Sequence, residues 1–99
     1  MENLKIEKVE QVDLIIRKVN RELGEQYGDM DAASDPYWAE EEGIYQASLT
    51  DEEKQKIIEY AETFSLSIEQ AVYIYLYNIA NKNNIGQLKE VVLYLKNLL

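Results

Sequence analysis

"IYQASLTDEEKQKIIEYAETFSLSIEQAVYIYL", residues 44–76, is the stretch on which the fold turns. It opens with alternation. Tyr45, Ala47 and Leu49 fall on one side and Ile44, Gln46 and Ser48 on the other, the period of a short strand. Thr50 then precedes Asp51, Glu52 and Glu53. A threonine N-cap with glutamate three residues on is a capping box, and acids in the first turn suit the positive end of the helix dipole. The spacing predicts a helix over 51–63, with Ile57, Ile58 and Ala61 inward and Phe64 closing the stripe. "SLS" interrupts it. Ser67 and Gln70 form a second box, and a helix carrying Ala71, Val72, Ile74, Tyr75, Leu76 and Ile79 follows, ending at "NKNN".

Working outward, residues 1–27 read as an amphipathic helix. Val9, Val12, Ile16, Val19 and Leu23 form an a/d seam, widened by Leu4, Leu14 and Ile15. Gly24 stands where a helix can end, with "EQY" able to add a turn before Gly28. Such a seam covers its own core or pairs with another chain. At the other end a helix is expected from Gly86, with Leu88, Val91, Val92, Leu95, Leu98 and Leu99 as its stripe. One domain over 1–99 follows: an N-terminal helix (1–27), an acidic loop (28–43), a strand-helix-helix core (44–82) and a C-terminal helix (86–99).

A lone strand leaves backbone donors and acceptors without partners. Either the strand reading is wrong, or the strand pairs with its own copy in a second chain.

Strand, capped helix, short turn, capped helix resembles the ribbon-helix-helix family of Arc- and MetJ-like repressors. Leu49, Thr50, Asp51, Ile57, Ala61, Leu66, Ser67, Ala71 and Leu76 carry the resemblance, at matching intervals over about a third of the chain. The resemblance implies a mainly α fold built as an intertwined homodimer, with two copies of "IYQASL" forming an antiparallel ribbon. It also implies that Ile44, Gln46 and Ser48 read DNA bases and that Ser67 and Ile68 clamp a phosphate. Three departures stand out. The ribbon positions lack the Lys, Arg, Asn or Thr usual there, Glu53 and Lys54 occupy a first-turn region where the family often has an apolar residue, and Ser65 stands where glycine is usual in the turn.

Charge pulls against DNA. The net charge is −9, and residues 25–53 hold ten acids and no base, while the flanks are nearly balanced. DNA affinity rests largely on neutralising phosphates, which this segment cannot do. It attracts basic surfaces instead. Asp29, Asp31, Asp35, Glu40, Glu41 and Glu42 surround Tyr37 and Trp38, and carboxylates around aromatic anchors suit docking on a basic protein.

Cysteine and histidine are both absent, which removes disulfides, Cys/His zinc sites and triads built on histidine. Asp29, Asp31, Asp35 and Glu40 sit at EF-hand positions, but Ala33, Ser34 and Pro36 remove a ligand and the required glycine turn. No cofactor, metal or catalytic constellation is expected. Neither a signal-peptide core nor an apolar run of membrane-spanning length is present, which suits a cytoplasmic protein. The sequence therefore points to a non-enzymatic, dimeric regulator of the repressor or antitoxin kind that docks on a basic toxin-like partner. The alternatives are an acidic phage-type DNA mimic that occupies a nucleic-acid enzyme, and a plain all-helical oligomer with "IYQASL" as loop.

Overall fold

The computed structural model describes residues 2–28 and 45–99, and among them lie four helices: α1 (Glu2–Tyr27), α2 (Asp51–Thr63), α3 (Ile68–Asn83) and α4 (Gly86–Asn97). Both capping boxes form. Thr50 Oγ1 accepts from the Glu53 N–H at 3.2 Å, and Glu53 Oε1 accepts from the Thr50 N–H at 2.9 Å. Ser67 and Gln70 repeat this at α3, with distances of 3.1 and 3.2 Å. These bonds satisfy backbone donors that have no partner inside a helix.

The helix ends are closed by left-handed residues that are not glycine. Ser65 has φ 54° and Asn84 has φ 56°. In each case the next N–H reaches back five residues, Leu66 to the Ala61 carbonyl at 2.8 Å and Ile85 to the Ala80 carbonyl at 2.9 Å. That is the wrapped C-terminal turn of the Schellman motif, and it needs positive φ at the residue before the donor. Gly24, by contrast, does not end α1. It is buried inside the helix, and the Gly28 N–H bonds its carbonyl at 2.9 Å. Buried Leu23 and half-buried Tyr27 hold the last turn on the core, which outweighs the roughly 1 kcal/mol helix penalty of a glycine.

The seam of α1 is inward as its spacing requires. Val12, Val19 and Leu23 are buried, and Val9 and Ile16 pack against them. They meet Ile57, Ile58 and Ala61 of α2, Ala71, Val72, Leu76 and Ala80 of α3, and Leu88, Val91, Val92 and Leu95 of α4. α1 and α3 each touch the other three helices. Phe64 departs from its expected stripe and is 59% exposed, and Leu98 and Leu99, beyond the last turn of α4, are exposed as well.

Alternating tyrosines on α3 reach three different neighbours. Buried Tyr73 donates to Glu69, and Glu69 pairs with Lys18 of α1 at 2.7 Å. The Tyr75 hydroxyl donates to Glu53 of α2 at 2.7 Å. The Tyr77 ring lies under Lys89 of α4, 5.8 Å from its ammonium. Tyr75 points some 200° from Tyr73 and from Tyr77, which share a face, so the run reaches α2 on one side and, through Glu69 and Lys89, α1 and α4 on the other.

The ribbon-helix-helix core is corrected by the segment before α2. Residues 45–50 form no strand, and no strand occurs among the described residues. The alternation is nevertheless physical. Ala47 is buried and Tyr45 and Leu49 pack on the core, while Ser48 is exposed. A segment laid over helices shows the same inside-outside pattern as a strand. Its backbone is paired by side chains of this same chain. Ala47 N–H donates to Asn20 Oδ1 at 2.7 Å, Asn20 Nδ2 donates to the Ala47 carbonyl at 2.9 Å, and Tyr45 N–H donates to Gln87 Oε1 at 2.9 Å. Amides from α1 and α4 stand where a neighbouring strand was expected. The unpaired strand that required a second copy does not exist, and the described fold is all-helical.

Candidate functional site

The surface with most chemistry is the outer side of the α2–α3 hairpin. On α2, Lys54 turns back to Asp13 of α1 at 2.8 Å, and Glu53 turns to Tyr75 of α3. Asp51, Glu52, Lys56 and Glu59 face solvent, while Ile57 and Ile58 turn into the core. Asp51, Glu52, Gln55, Lys56 and Glu59 line a shallow depression, three of them exposed carboxylates at i, i+1 and i+8.

Beside this depression lies an apolar groove of about 230 Å³. Its α2 wall is Lys56, Ile57 and Tyr60, and its α3 wall is Ala71, Ile74, Tyr75 and Asn78. The α3 residues span seven positions, about two helical turns or roughly 10 Å. Ala71 is the smallest of them and makes room in the wall. Lys56 borders both the groove and the acidic depression, so the two are continuous. Tyr60 stands at the edge with Phe64 one turn on, ring centroids 4.7 Å apart. Both aromatic side chains are exposed.

Electrostatics fix one end of the groove. Glu53 is held below the usual carboxylate range, first by the Thr50 backbone N–H and then by the Tyr75 hydroxyl. Tyr75 is pushed up to about 12, by burial first and by its bond to Glu53 second. Glu53 therefore stays ionised and Tyr75 neutral across the ordinary pH range, a fixed donor–acceptor pair. At the α3 start, Glu69 is likewise lowered, by Lys18 first and then Tyr73, while burial followed by Glu69 raises Tyr73.

The structure scatters the residues that the resemblance brought together. Gln46 is partly exposed and Ser48 exposed on the irregular segment, which forms no strand. Ser67 is committed to its capping box: its N–H goes to Gln70 and its hydroxyl accepts from the Gln70 N–H. Ile68 packs against the core, and the Glu69 carboxylate lies in the same first turn. Such a helix start already has an anion beside it. Ile44 and the expected partner-binding residues Asp29, Asp31, Asp35, Tyr37, Trp38, Glu40, Glu41 and Glu42 lie outside the described residues.

Sequence reasoning missed the groove. The spacing places Ile74 and Tyr75 on their helix without marking a groove, and expects Phe64 inward. The available signal was Tyr60 and Phe64 at i and i+4 beside the acids of α2, an aromatic pair on a face that its own helix leaves outside. No group of carboxylates fit to hold a metal occurs among the described residues, nor does a helix long and apolar enough to cross a membrane.

Comparison of the chain with protein-family models, curated proteins and solved structures returns no match. The ribbon-helix-helix resemblance gains no support there, and the structure removes its strand.

Proposed function

We propose that this chain is a non-enzymatic binding protein that regulates or inhibits a partner by covering a basic protein surface, in the manner of an antitoxin or an inhibitor of a nucleic-acid enzyme. One observation carries the reading: the run of acids without a base that begins at Glu25 continues into the exposed carboxylates of α2, beside an exposed aromatic pair. Carboxylates steer a basic partner and penalise wrong ones, and aromatic anchors supply contact area at low entropic cost. The same charge repels duplex DNA.

The test is affinity capture with identification of what is bound, at graded salt. Wild type is expected to retain proteins of high pI in a salt-sensitive way. Two neutralised variants, Asp51/Glu52/Glu59→Gln and Asp29/Asp31/Asp35→Asn with Glu40→Gln, are expected to lose them. Capture unchanged in both variants rejects the reading, and so does duplex DNA bound at low salt with steep salt dependence.

A further inference from the structure

The groove and the acidic depression together describe an occupant. The groove is open along one side, and its volume of about 230 Å³ falls below the roughly 300–1,000 Å³ of small-molecule sites. Its walls are α3 over about two turns and α2 over about one, a shape that receives side chains from a third helix. A second copy of this chain fits poorly, because it brings another net charge of −9 against the carboxylates flanking the groove. The complementary occupant is apolar towards Ile57, Ala71 and Ile74 and basic towards Asp51, Glu52 and Glu59.

We propose that the α2–α3 groove seats a basic amphipathic helix of the partner, its aliphatic residues entering between Tyr60 and Ile74 and its Lys or Arg residues lying over the α2 carboxylates. This rests on the binding role above and specifies the element bound. Apolar residues at i, i+3 or i+4, and i+7 span the two turns from Ala71 to Asn78. Tyr60 closes over them from the α2 edge, where its ring is 39% exposed in the free protein. Lys56, on the border between groove and carboxylates, is, among the described residues, the one lining charge that opposes a basic occupant. It sets the approach side, since the occupant's cations must pass it to reach Glu52 and Glu59.

Three labelled synthetic peptides test this by fluorescence anisotropy on the full chain: a two-faced helix of leucine and lysine, the same composition scrambled to destroy the face, and the two-faced helix with glutamate for lysine. The first is expected to bind about tenfold or more tighter than either control. Tyr60→Ala should weaken it by about tenfold, and Lys56→Ala should tighten it. Both positions are exposed, and helix content by circular dichroism verifies that each variant folds. Equal binding of the scrambled peptide overturns the groove proposal and leaves the acidic-surface reading standing. Equal binding of the glutamate peptide overturns the basic occupant. Binding of none of the three also overturns the proposal, and salt-sensitive capture of basic proteins then shows whether the broader reading survives.

Discussion

Asn20 of α1 grips Ala47 at both backbone atoms, accepting from its N–H at 2.7 Å and donating to its carbonyl at 2.9 Å. A primary amide has the same donor–acceptor spacing as a peptide unit, so it substitutes for one residue of a neighbouring strand. Ala47 is 4% exposed, which keeps water from replacing these bonds. Asn20→Ala is therefore expected to destabilise the protein by about 2 kcal/mol, because it leaves a donor and an acceptor unpaired. Urea unfolding checks this, and a change within about 0.5 kcal/mol would show that solvent reaches Ala47.

Glu53 serves two elements at once, capping α2 through Oε1 and receiving Tyr75 of α3 through Oε2. A double-mutant cycle of Glu53→Ala and Tyr75→Phe should give a coupling of about 1 kcal/mol. Thr50→Ala should cost about 1 kcal/mol and add to Tyr75→Phe without coupling, since Thr50 meets Glu53 only at the cap.

Ser65 and Asn84 hold the same left-handed backbone with unequal ease. Asparagine tolerates this region and serine does not, so Ser65→Gly should stabilise by about 0.5–1 kcal/mol and Asn84→Gly by less. Thermal unfolding of the two variants checks the order. An equal gain would mean that the wrapped turn, not the residue, sets the strain.

Stability should fall at both ends of the pH scale for separate reasons. Glu53 and Glu69 have lowered folded pKa values, so their contribution is present above the ordinary value of 4.5 and is lost as pH drops through the folded values. Glu53→Gln with Glu69→Gln should flatten the acid limb. Tyr75 is raised from 10.0 to about 12, so its contribution is present below pH 10 and is lost between pH 10 and about 12. Tyr75→Phe should make that alkaline limb shallower, with the raised Tyr73 hydroxyl keeping part of it. Melting temperature against pH reads both.

The helices were legible because their signals are local. Thr50 with Glu53 and Ser67 with Gln70 fix helix starts within a few residues, and the seams of α1 and α4 follow from 3.6-residue spacing. The strand misled because alternation reports which side of a segment is buried, and not what pairs with its backbone. Tyr45, Ala47 and Leu49 lie inward, yet the backbone atoms of Ala47 and Tyr45 bond the amides of Asn20 and Gln87, respectively 27 and 42 residues away. Nothing local marks Asn20 among the charged residues of α1. The groove was hidden for a related reason. Tyr60 and Ile74 each look like one more apolar position until the packing of α2 on α3 leaves them half-covered.

Asn20 and Gln87 pair the segment 45–50 within one chain. Isotope-filtered NMR on a mixture of labelled and unlabelled protein tests this most directly. The predicted result is an intramolecular contact between the Asn20 side-chain amide and Ala47, with an Ala47 N–H whose slow exchange is lost in Asn20→Ala. Intermolecular contacts between Tyr45 and Leu49 of two copies would restore the ribbon and contradict the account.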